Sequence, residues 1–276
     1  MTEPLVPSYL KKLARAEKHL ADLKAEFGRF ADRHPYTLAI TVQRQRNLYR
    51  LEFTESPENT DIPIIAADVI YNIRSGLDHL AAALVPAKRR DSTMFPIFWQ
   101  GVWNDPVPGE NEQRAKDRSR WESYTRDMRP EAVAHLKRMQ PRVRGDNEEA
   151  VSFLRAINQL SNTDRHTKLP LIATALKNVR ITWSGPDGTP RQGHDPRTDD
   201  PVVGVNNGAA IDGIPDDATN VQILGTPAIV VRVTKPAAEL ELVPTLEGAL
   251  PVIREQGVMP LLPFVHVPPA NRTGRV

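Results

Sequence analysis

The chain has 276 residues, 40% hydrophobic and 25% charged, which suits an ordinary folded protein and excludes a disordered or collagen-like one. It has no cysteine, so disulfides, thiolate metal ligands, iron–sulfur clusters and cysteine nucleophiles are excluded together. Net charge is only +2, but residues 88–168 carry 16 Lys/Arg against 12 Asp/Glu, a weakly basic stretch that permits nucleic-acid binding without establishing it.

Met1-Thr2-Glu3-Pro4 has no basic or apolar leader character, so no signal peptide is expected. Charges interrupt the apolar stretches well short of the ~20 residues a membrane span needs. A cytoplasmic location is the expectation.

Ser8 is a candidate N-cap. Leu10, Leu13, Leu20, Leu23, Phe27 and Phe30 then recur at helical spacing, which predicts a helix over 8–32. Leu38, Ile40 and Val42 alternate, as do Tyr49, Leu51 and Phe53, so residues 36–54 read as a β-hairpin. Asp61, with Pro63 just inside, opens a helix that runs to Val85 and stops at Pro86. Lys88-Arg89-Arg90 reads as loop, 94–99 as a short strand or core insertion, and 111–128 as a charged, solvated helix. Pro130 starts a short helix through Met139, and Phe153, Leu154, Ile157 and Leu160 form the stripe of a helix over 148–161. Beyond Pro170, Leu171–Trp183 reads as a helical turn leading into a strand, and 185–201 as loop. Residues 209–214 and 222–233 read as strands, and 245–256 as a last helix interrupted by Pro251. The fold class expected is α+β. A helical core of three or more helices (8–180) carries the hairpin, and a β-rich part (181–267) forms an antiparallel meander. All of it is expected in a single domain, 1–276.

The second helix separates cleanly on a helical wheel. Ile62, Ala66, Ile70, Ile73, Leu77, Leu80 and Leu84 share one arc, while Asp68, Tyr71, Asn72, Arg74, Ser75, Asp78 and His79 share the other. Arg74 and Asp78 are four apart and can pair. The polar arc is either a wet face or a surface covered by a second polar segment, Asn158-Gln159-Leu160-Ser161-Asn162-Thr163-Asp164-Arg165-His166. If the helix of Leu160 continues, Asp164 falls on its inward stripe and needs a cationic partner, Arg74 or His79. If it ends near Asn162, Asp164 and His166 lie in a polar turn.

The run from Asp68 to Ala81, Phe95-Pro96-Ile97, Met139-Gln140-Pro141 and Leu160–His166 together resemble a family of uncharacterised bacterial proteins. Its members carry Asn-Leu-Arg-Ser-Ala-Leu-Asp-His, Phe-Pro-Ile, Leu-Gln-Pro and Asn-x-x-Asp-Lys-His segments. This chain departs from the pattern with Gly76 for Ala and Arg165 for Lys. The resemblance implies a long first helix and a hairpin, and no reaction. More weakly, Arg74-x4-His79 resembles the short Arg-x4–6-His pattern of HEPN ribonucleases, which pair Arg and His across a homodimer interface. On one ideal helix those two side chains diverge by about 140°.

His79, Asp78, Asp164 and His166 are metal-ligand types, the basis of a metal-dependent hydrolase alternative, but no His-x3-His or His-Glu-x-x-His spacing occurs. Gly-rich phosphate loops and a Gly-x-Ser-x-Gly elbow are absent, and no cofactor or metal is expected. Trp99, Trp103 and Trp121 near the basic stretch read as core tryptophans ahead of base-stacking ones, and His266 as a packed neutral histidine. The reading favoured is a non-catalytic binding or interaction protein with a polar cluster of Asn72, Arg74, Asp78, His79, Asp164 and His166. In it Arg74, Asp78 and Asp164 join two core helices, and the partner or ligand is unknown.

Overall fold

A computed structural model of the chain describes residues 7–43, 46–98, 102, 111–140, 148–164, 171–194, 205–206, 209–211, 214–234 and 237–266. The fold is α+β. Helix α1 (Ser8–Asp32) is followed by the hairpin β1 (Tyr36–Gln43) and β2 (Arg46–Phe53), then α2 (Ile62–Ala83). Helices α3 (Glu112–Thr125), α4 (Pro130–Arg138) and α5 (Glu148–Asp164) precede the strands β3 (Leu171–Ser184), β4 (Pro190–His194), β5 (Val205–Asn206), β6 (Ala210–Ile211), β7 (Thr219–Thr234) and β8 (Ala237–Glu241). Helix α6 (Leu242–Val252) closes the series and passes into a π-helical turn, Ile253–Val258, and a 3₁₀ turn, Met259–Phe264. The chain divides into two compact units. One comprises Met1–Lys18, Asp68–Asn162 and Leu246–Val276; the other comprises His19–Ala67 and Thr163–Thr245.

The first unit is helical. Leu13 and Ala16 of α1 and Ile70, Ile73, Leu77, Leu80 and Leu84 in and just after α2 are buried. So are Leu136 of α4, Ile157 and Leu160 of α5, and Leu246 and Leu250 of α6. These are the apolar stripes that a 3.6-residue period lines up on one face. Leu10 and Lys11 donate to the Pro7 carbonyl at 3.1 and 3.2 Å, so Pro7 rather than Ser8 bounds α1. The Asn111 side chain caps α3 by accepting from the Arg114 amide at 2.8 Å. Helix α3 is solvated on most faces but buries Trp121, which meets Phe98 edge-on at 6.4 Å between ring centroids. Pro251 lies in the last turn of α6 and has no N–H to give the carbonyl four residues back; the π-helical turn begins two residues later.

The second unit holds two antiparallel sheets. β1 pairs with β2 in the register Tyr36↔Phe53, and β2 takes β6 on its other edge. In the other sheet the long strands β3 and β7 pair directly; β4 and β5 line the free edge of β3, and β8 that of β7. Tyr49 and Leu51 of the hairpin share a core with Leu176, Val179, Ile181, Ile211 and Ile223. The Tyr36 hydroxyl donates to the Gly225 carbonyl at 3.0 Å and accepts from its amide at 3.3 Å. A Cβ on Gly225 would stand 2.5 Å from Leu176 Cγ, so only glycine fits there.

Several local expectations change. Leu171–Ser184 is strand throughout, without a helical turn, because β7 supplies a partner along its length. Asn178 has φ +51 at an irregularity between Lys177 and Arg180, where the pairing shifts register. Residues 185–201, read as loop, contain β4, which pairs with β3 from Arg180↔His194 to Ser184↔Pro190. Within the strand expected over 209–214 the described residues include β6, Ala210–Ile211, and β8 had no strand expectation at all. Ala87–Ser92 is a 3₁₀ turn rather than loop. Trp99, Trp103 and the tail from Pro268 lie outside the described residues.

Candidate functional site

The polar arc of α2 faces an extended strap, residues 93–98, that pairs with no strand among the described residues. Phe95 is 1% exposed, so its backbone N–H and C=O must find partners inside the protein. Asp78 Oδ1 accepts from the Phe95 amide at 2.9 Å, and Arg74 Nη2 donates to the Phe95 carbonyl at 3.0 Å. The two side chains are themselves paired at 2.9 Å, one turn apart on α2. The ion pair therefore presents one acceptor and one donor to a single residue, as an adjacent strand would. Arg74 Nη1 also reaches Asn158 Oδ1 on α5 at 3.5 Å.

Gln140 repeats the device one step along the strap. It is fully buried. Its Oε1 accepts from the Phe98 amide at 2.8 Å, while its Nε2 donates to the Pro96 and Leu136 carbonyls, both at 2.9 Å. A primary amide has a donor and an acceptor on one rigid plane, so it can serve both sides of a peptide strap at once. Pro96 lacks an amide hydrogen and leaves none to satisfy.

The six residues of the expected polar cluster separate into distinct environments. Arg74 and Asp78 meet each other and the strap. Asn72 is buried, and its Nδ2 donates to the Asp68 carbonyl of its own helix at 2.8 Å. His79 is exposed. Helix α5 continues past Asn162 and ends at Asp164, whose side chain lies outside the described residues, as does His166. Asn158, Gln140 and the Phe95 backbone were not foreseen as partners. The signal was present in the sequence: three of the four segments behind the family resemblance meet at this strap, and the fourth continues from Asn158 on α5. Among the described residues no three His, Cys, Asp or Glu side chains are grouped to hold a metal ion.

A second feature lies around the end of α2. A cleft of about 710 Å³ has Ala82, Ala83, Leu262 and Val265 as its apolar wall. Ser8, Tyr9, His79, Arg90 and His266 bring polar atoms to it. His266 is held in place by its backbone amide, which donates to the Ala83 carbonyl at 2.8 Å. Its Nε2 is buried and has no hydrogen-bond partner among the described residues, and the same is true of Arg90 Nε. Burial pushes the Tyr9 phenol above its ordinary value, so the hydroxyl stays protonated. Among the described residues no carboxylate lines the cleft, and Arg74 does not line it.

The basic stretch is partly tied up internally. Arg89 Nη2 donates to the Ser123 carbonyl at 2.9 Å, and its Nε stands 3.7 Å from Asp127. No protein-family model matches the chain, and no curated protein or solved structure shows significant similarity to it. No helix among the described residues is long and apolar enough to cross a membrane.

Proposed function

We propose that this is a non-catalytic binding protein, in which the polar residues of α2 build the scaffold and the cleft beside them receives the ligand. The observation that carries this reading is the double engagement of Phe95 by Arg74 and Asp78. Three of the five N–H donors of the Arg74 guanidinium go to a carboxylate, a carbonyl and an asparagine, so the side chain is built into the scaffold rather than presented to a substrate. The family resemblance fits the same reading, since its marks fall on residues that hold the strap. The cysteine-free composition agrees with a cytoplasmic location.

The ribonuclease alternative needs Arg74 and His79 to act together, whereas Arg74 turns toward the strap and His79 lines the cleft. Incubating wild type and His79→Ala with mixed-sequence RNA in chelator separates the two readings. The binding reading predicts intact RNA in both samples. Metal-independent cleavage by the wild type that disappears in His79→Ala would overturn it.

A further inference from the structure

The cleft described above lies within the helical unit, where the first turn of α1, the end of α2, the 3₁₀ turn carrying Arg90 and the segment ending at His266 meet. Its volume of about 710 Å³ is in the range of small-molecule sites, ~300–1,000 Å³. Its polar groups share one character. Arg90 carries a permanent positive charge, and an imidazole can present an N–H donor. Two of these nitrogens, Arg90 Nε and His266 Nε2, are buried without a partner among the described residues. Buried donors ordinarily find an acceptor, and among the described residues the polar side of the cleft offers nitrogen and hydroxyl groups and no carboxylate. The first turn of α1 adds leading amides that cannot be bonded within the helix.

We propose that the cleft binds a small organic acid, a carboxylate or phosphate attached to an apolar body. The acid group sits against Arg90, His266 and His79, and the body lies on Ala82, Ala83, Leu262 and Val265. Arg90 is the specificity-determining contact, because a planar guanidinium recognises two oxygens of a carboxylate or phosphate at once. The proposal rests on the cleft being a binding site, as in the functional reading above.

The test is isothermal titration of the full chain with phenyl phosphate, benzoate, inorganic phosphate and benzyl alcohol as probes. The expected result is saturable one-to-one binding of phenyl phosphate or benzoate, with benzyl alcohol at least about tenfold weaker. Whichever acid binds identifies the head group, and weak inorganic phosphate supports a contribution from the apolar wall. Arg90→Met should weaken the acid by about tenfold or more, and Arg90→Lys, which keeps the charge, by less. Absence of binding by both organic acids in the folded wild type would overturn the proposal, as would equal binding of the alcohol or unchanged affinity in Arg90→Met. Release of phenol from phenyl phosphate would overturn the non-catalytic reading while supporting the anion site, so the two failures are distinguishable.

Discussion

Gln140 and the Arg74–Asp78 pair solve one problem with different chemistry. Each supplies both a donor and an acceptor to a peptide strap that has no strand beside it among the described residues. The pairing of Arg74 with Asp78 was legible, because a four-residue offset on a helix brings side chains together wherever it occurs. Their attachment to Phe95 was not, because 93–98 has no periodicity to announce a buried extended segment. His135 shows a different buried polar solution. Its Nε2–H donates to the Gln256 carbonyl at 2.9 Å, and Arg138 lies 3.3 Å from Nδ1. Burial above all, with the Arg138 charge, holds its pKa below the ordinary 6.5, and the Gln256 bond offsets this in part. Above pH 6.5 the folded and unfolded chains both carry a neutral imidazole, and the contribution to stability is complete. As the pH falls through that value, the unfolded chain takes up a proton that the folded chain resists, and stability declines until the lowered folded value is passed. In urea denaturation across about pH 5–8, His135→Gln should retain an amide donor toward Gln256 and lose this part of the acid-side decline. An unchanged pH profile would contradict the assignment.

The helices were the most readable parts of the chain, and the physical reason is local. The α2 arc from Ile62 to Leu84 is set by residues within a few turns, and those residues are buried as the wheel implies. Strands depend on partners. β3 and β7 are joined by a long connection, so nothing near Leu171 says that its partner is Val231. β6 needs Tyr49 and Arg50, and short strands such as β6 and β8 carry too few residues for alternation to show. Gly76 lies inside α2 without a steric demand for glycine: an added Cβ would meet Leu13 and Lys12 at 3.4 Å, ordinary contact. Gly76→Ala should therefore stabilise the protein by up to about 1 kcal/mol through helix propensity and a less entropic unfolded chain. A thermal melt showing a lowered midpoint would mean that α1 and α2 pack more tightly there than the geometry indicates.

The candidate site was legible only in part, because it is assembled from segments far apart in the sequence. The cleft draws on Tyr9, His79, Arg90 and His266, and no spacing rule connects them. His266, expected as a packed neutral histidine, lines that cleft with a buried Nε2. Trp121 is a core residue, as read ahead of a base-stacking role. The clamp ties the strap to α2 and α5 within the helical unit, and its loss should be costly. Asp78→Ala leaves Arg74 with a charge to satisfy at 8% side-chain exposure, a change expected to cost about 3 kcal/mol, at the low end for breaking a buried pair. Amide hydrogen exchange at Phe95 tests the clamp most directly. In the wild type this amide should be protected close to the level of global unfolding, and Asp78→Ala should abolish that protection selectively, leaving Phe98 on Gln140 better protected. Rapid exchange of the Phe95 amide in the wild type, or protection unchanged in Asp78→Ala, would contradict the account.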